Sequence, residues 1–112
     1  MKLGELNELK CSACSGNTPK LNEEDINIYL NKLKNWQIND EHQLIFKKIK
    51  FKTFKQALVF TNLIGEIAEK EGHHPDISLG YGYCLILIHT HAIKALSIND
   101  FILAAKIDQI SI

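Results

Sequence analysis

No sign of charge dominates this chain. Lys plus Arg and Asp plus Glu balance at 13 each over 112 residues, which leaves zero net charge with neutral histidines. A dedicated nucleic-acid binder carries a basic excess to meet phosphates, so no nucleic-acid partner is expected. Little self-repulsion also leaves self-association unopposed. No apolar run approaches the ~20 residues of a membrane helix. The opening MKLGELNELK lacks the apolar stretch of a secretory signal. The expected location is therefore cytoplasmic, with no membrane partner. Cysteines number three, an odd count that does not suggest a disulfide framework. Internal repeats and low-complexity tracts are missing as well.

What is present suits a single domain with a real core: 46% of residues are hydrophobic and 23% charged. Residues 1–20 read as a polar N-terminal arm, whose CSACSGNTPK marks irregular backbone. Its Cys11-x-x-Cys14 is a lone half-site, because a structural zinc needs a second pair of ligands. The segment is taken as poorly ordered or accessory. The domain proper is expected over 21–112. Asn22 is placed to cap a first helix, with Glu23, Glu24 and Asp25 at the positive end of its dipole. Asn39-Asp40 marks a turn between two β-like runs. Thr53-x-x-Gln56 matches a capping box for a second helix, and Gly72 is placed to stop it. A second hairpin turns near Gly82, and Ser97-Ile98-Asn99-Asp100 opens a last helix. Cys84, inside a β-run, reads as a small core residue. The order α-β-β-α-β-β-α implies an α+β fold: one four-stranded antiparallel sheet with helices packed on one face.

Four of the five histidines lie within EIAEKEGHHPDISLGYGYCLILIHTH, Glu66 to His91. Three readings compete. Histidines at element ends commonly serve only as polar residues bonded to backbone. A metal site needs converging ligands; His73 and His74 diverge in extended backbone, whereas His89 and His91 can share one side of a strand, with Asp76 or Glu69 completing a set. Acid–base chemistry uses a group that both gives and takes protons near neutrality. Topology bears on that third reading. An antiparallel hairpin returns its second arm to where the first began, which brings His91 back beside His73 and His74.

The run Glu69-x-x-x-His73-His74-Pro75, then Tyr81, Thr90-His91 and Asp100, resembles the pterin-4a-carbinolamine dehydratase family. So do the NW at Trp36, IFKKIKFKTFKQALVF and ALSINDFILAAKI. The resemblance covers about residues 21–112. It implies elimination of water from a 4a-hydroxytetrahydropterin to give the quinonoid dihydropterin, recycling a tetrahydrobiopterin-type cofactor. It implies His73, His74 and His91 as catalytic residues, and Glu69, Tyr81, Thr90 and Asp100 as substrate-binding or pocket-lining residues. It implies no metal and no organic cofactor, a small-molecule pterin substrate, and a homodimer or homotetramer. Gly72 departs from the acidic residue often found before the triplet. Asp76 stands where the family often carries an acidic residue, while His89 and His42 fall outside the motif and read as ordinary polar residues. Two further roles are compatible with such a chain: a dimerisation module for a transcription factor, and another pterin-processing activity such as one in molybdopterin metabolism.

Overall fold

The computed structural model describes residues 3–111. Positions 1, 2 and 112, at the ends of the expected arm and domain, lie outside the described residues. Three helices and four strands follow the expected order: α1 (Glu23–Leu30), β1 (Gln37–Ile38), β2 (Ile45–Lys50), α2 (Phe54–Glu71), β3 (Asp76–Gly80), β4 (Tyr83–Ile88) and α3 (Ile98–Ile107). The strands form one antiparallel sheet in the order β1-β2-β4-β3.

The caps written into the sequence set the helix ends. Asn22 Oδ1 accepts the Asp25 N–H at 2.8 Å. Thr53 Oγ1 accepts the Gln56 N–H at 3.1 Å while Gln56 Oε1 accepts the Thr53 N–H at 3.3 Å, so two otherwise orphaned donors are satisfied reciprocally. Gly72 ends α2 in the left-handed region, φ 66°, and Pro75 holds His74 away from helical geometry. The chain therefore leaves α2 and turns at once into β3, with the two histidines at the bend.

Alternation sorts the sheet into two faces. Cys84, Ile86 and Ile88 of β4 point inward and are fully buried. Ile45, Lys47 and Ile49 of β2 pair with them across the ladder and share that face. Lys47 interrupts the apolar pattern because it has a buried partner: its Nζ lies 2.9 Å from Asp108 Oδ1, which also accepts Trp36 Nε1–H at 2.9 Å. Over this face lies α3, whose Phe101, Ile102, Leu103, Ala104 and Ile107 are all buried. An amphipathic helix would bury one stripe; α3 is covered nearly all round because the arm packs on its other side.

That arm is tied to the domain at several points. Leu6 is buried with the core cluster. Cys11 N–H donates to Glu71 Oε1 at 2.9 Å. Ser12 and Asn99 bond in both directions: Ser12 N–H to Asn99 Oδ1 at 3.1 Å, and Asn99 Nδ2 to the Ser12 carbonyl at 2.9 Å. No helix among the described residues is long and apolar enough to cross a membrane.

Candidate active site

The β3–β4 hairpin has a two-residue turn, Tyr81-Gly82, with Gly82 at φ 82°. Asp76 pairs with Leu87 at the open end and Gly80 with Tyr83 at the turn. The chain thus leaves β4 beside the place where it entered β3. His89 and His91 come back to His73 and His74 for that reason. All four line one cavity of about 280 Å³, together with Cys14, Gly72 and Ala92. Its size sits just below the ~300–1,000 Å³ usual for small-molecule sites. A larger cavity, about 660 Å³, lies at the β2–α2 junction, where its lining carries lysines and Gln56 but no imidazole or carboxylate. The smaller cavity is the one lined by imidazoles.

The three motif histidines stand in different settings. His73 is 5% exposed. Its Nε2–H donates to Asp100 Oδ1 at 2.6 Å, and its Nδ1 faces Cys14 Sγ at 3.5 Å. Both ring nitrogens are thus engaged by protein. His74 donates Nε2–H to Glu69 Oε2 at 2.6 Å, reaching back one turn of α2, and its Nδ1 is turned from that bond. His91 Nε2 lies 4.0 Å from Asp76 Oδ2, beyond hydrogen-bonding range. The side chains of His74 and His91 are each 59% exposed.

Behind His73 lies a closed polar network. Asp100 Oδ2 accepts Thr90 Oγ1–H at 2.8 Å and the Ser97 N–H at 2.8 Å, and Ser97 Oγ stands 2.7 Å from Thr90 Oγ1. Thr90 and Asp100 are both 0% exposed. Burial on this scale is tolerated because each polar atom has a hydrogen-bond partner; among the described residues, no buried side-chain nitrogen or oxygen lacks one.

These positions differ from the sequence expectation in two ways. Thr90 and Asp100 reach the cavity only through the ring of His73, because the first turn of α3 folds the Asp100 carboxylate inward onto Ser97. Tyr81 lies at the hairpin turn, the opposite end from the histidines, with 79% of its surface exposed. It does not line the cavity. Glu69 is joined to the site by its bond to His74. Two further titratable side chains line the cavity outside the family motif. His89 sits with its ring centroid 4.0 Å from that of His91, which their spacing of two allowed. Cys14 comes from the docked arm, and nothing in local spacing points to its meeting with His73.

The Cys11 thiol, beside Cys14 in this arm, is pushed up to about 12, by burial first and then by the neighbouring Glu71 carboxylate. Burial pulls Glu71 upward too, but the Cys11 N–H and Lys106 outweigh it and hold the carboxyl below its ordinary value.

This fold, with paired histidines at the end of α2 and a third after β4, is that of the pterin dehydratases. Residues 19–110 match the sequence profile of the family described as pterin 4 alpha carbinolamine dehydratase, and the chain belongs to that family. A relative from Alkaliphilus metalliredigens is 45% identical over 108 residues, 96% of each chain. Another from Rickettsia canadensis is 47% identical over 104 residues, 92% of this chain and 94% of the relative. Both carry the provisional name pterin-4-alpha-carbinolamine dehydratase. Among solved structures, a transcriptional coactivator/pterin dehydratase from Brucella melitensis superposes with a TM-score of 0.75 at 30% identity, covering 80% of this chain and 95% of that one. A pterin dehydratase-like protein identified as a RuBisCO assembly factor in the alpha-carboxysome shares the fold at a TM-score of 0.57 and 22% identity, over 67% of this chain and 87% of that one.

Proposed function

We propose that this chain removes water from 4a-hydroxytetrahydropterins to give the quinonoid dihydropterin, by proton transfer between substrate and histidine. The observation that carries the reading is the meeting of His73, His74 and His91 at one cavity in a family-matched fold.

The reaction asks for two proton movements. The C4a hydroxyl leaves as water once protonated, and loss of the N5 proton supplies the electron pair that expels it. His74 and His91 are the side chains fitted to exchange these protons. Each is solvent-accessible, and neither has both ring nitrogens committed to a close protein partner. Glu69 fixes the His74 tautomer by accepting at Nε2, which leaves Nδ1 to face substrate. His73, bonded at Nε2 and covered at Nδ1, serves as a rigid wall that orients the heterocycle. After one turnover the acid has lost a proton and the base has gained one. Both side chains exchange with bulk water, so the site resets without a further group. Each such transfer is typically worth ~10²–10⁴-fold.

The test is the rate at which purified protein consumes freshly generated 4a-carbinolamine, followed by absorbance. His74→Ala and His91→Ala should each slow it sharply with folding intact; full activity in both variants would overturn the assignment.

A second reading, capture of a protein partner, is favoured by the coactivator role named for the Brucella melitensis structure. It would use exposed apolar side chains such as Phe54, Leu58 and Val59 on α2, which also suit a homodimer or homotetramer. In that case a charged substitution at Leu58 abolishes association and the histidine variants do not.

A further inference from the structure

We infer that Asp76, His89 and His91 form a binding site for one divalent first-row transition ion of the zinc type. The three side chains each offer one ligand atom, and those atoms lie within 4.8 Å of one another.

The backbone explains why they converge. Asp76 is the first residue of β3, on the face of the sheet turned away from the helices, opposite Leu87. His89 follows Leu87 by two positions, so the period of the strand puts it on the same side. His91 follows by two more. Between them Thr90 is locked inward by its bond to Asp100, and its backbone bridges to Ala95. With Thr90 anchored, both imidazoles are turned out toward the carboxylate.

The distances point to a ligand set and not to hydrogen bonding. Nε2 of His89 lies 3.7 Å from Asp76 Oδ2, and Nε2 of His91 lies 4.0 Å from it. Both exceed the ~3.2 Å limit of a good N–H···O bond. Yet both nitrogens face one oxygen, with the ring centroids 4.0 Å apart and tilted by 51°. A cation set between the two rings and the carboxylate would be met by all three. Tetrahedral zinc bonds of ~2.0–2.2 Å set ligand atoms about 3.4 Å apart, so the side chains must rotate to bring their ligand atoms closer by up to about an ångström. Asp76 and His91 are exposed and His89 half-buried, so packing does not oppose that rotation. Two imidazoles and one carboxylate suit zinc, cobalt, nickel or iron over magnesium or calcium. Three protein ligands leave a coordination position for water or another small ligand.

The binding claim stands on this geometry alone. One consequence rests on the dehydratase reading: an ion held by His91 Nε2 removes that ring from proton exchange, so zinc becomes an inhibitor of the metal-free enzyme.

Equilibrium dialysis of chelator-treated full-length protein against zinc, with elemental analysis, is expected to give one ion per chain. Cobalt(II) should give a visible ligand-field spectrum without a thiolate charge-transfer band. His89→Ala and Asp76→Asn should each weaken zinc binding by about tenfold or more, while Cys14→Ser leaves it in place. Absence of binding overturns the proposal. So does undiminished binding in both His89→Ala and Asp76→Asn, or binding lost only in Cys14→Ser, which would put the ion on the arm. Stoichiometric zinc that leaves dehydration at its metal-free rate supports the site and counts instead against His91 as a proton-transfer residue.

Discussion

His73 and Asp100, 27 residues apart in the chain, are joined by a 2.6 Å bond from Nε2 to Oδ1 that solvent does not reach. The carboxylate takes two more donors from Thr90 and Ser97, so one residue of α3 sets the orientation of a ring in the cavity wall. Asp100→Ala strips an acceptor from three buried donors at once. It should cost about 3–5 kcal/mol, read from urea unfolding. Asp100→Asn keeps the shape and should cost less; equal losses would mean that the negative charge contributes nothing.

The three histidines should separate by what they lose. His74→Ala and His91→Ala remove exposed side chains, so unfolding free energy should move by no more than about 0.5 kcal/mol, while dehydration slows by about 10²-fold or more. His73→Ala leaves the Asp100 charge without its buried partner and should lower stability by about 3 kcal/mol as well. Paired denaturation and stopped-flow measurements on the three variants check this, and a His73 variant as stable as the other two contradicts it.

Gly72 carries a conformational requirement and no steric one. A Cβ built there meets nothing within 4 Å, but its φ of 66° belongs to the left-handed region. Gly72→Ala should therefore cost about 1–2 kcal/mol from backbone strain alone. Because this residue swings the chain from α2 to His73 and His74, the loss in thermal midpoint should come with slower dehydration.

Stability should fall at both ends of the pH range through the arm. Glu71 is held below its ordinary 4.5 in the folded protein, so its contribution is complete above that value and is lost as the pH drops through the folded pKa. Cys11 is raised from 9.0 to about 12, so its contribution is complete below 9.0 and is lost as the pH climbs toward 12. Urea midpoints across pH should show both limbs, and Cys11→Ala should flatten the alkaline one only.

Much of this fold was legible because its signals are local. Asn22, Thr53 with Gln56, and Gly72 each act within one turn of themselves, and the structure puts them where their chemistry asks. The meeting of His91 with His73 and His74 was also accessible, since hairpin return is a property of topology and not of any side chain. Long-range partnerships were not legible. Cys14 reaches His73 across 59 positions and Ser12 reaches Asn99 across 87, and no periodicity encodes such pairs. The arm looked polar because its leucines, Leu3, Leu6 and Leu9, stand among charged and polar residues; the burial of Leu6 and Cys11 depends on a surface of α3 that composition does not reveal. Thr90 and Asp100 sit within a motif that names positions but not directions, so it could not tell a residue that lines a cavity from one that stands behind its wall.

The two-way bond between Ser12 and the Asn99 amide has a practical corollary. One flank of the cavity is furnished by a strap held to the rest by a handful of polar contacts and three apolar side chains, Leu6, Leu9 and Cys11. Trimming an expression clone to residue 21, or nicking by a protease ahead of Pro19, would bare the Nδ1 side of His73 to water and turn a walled recess into an open shelf. Shortened versions of this protein should therefore be compared with the intact chain before any rate measured on them is assigned to the histidines.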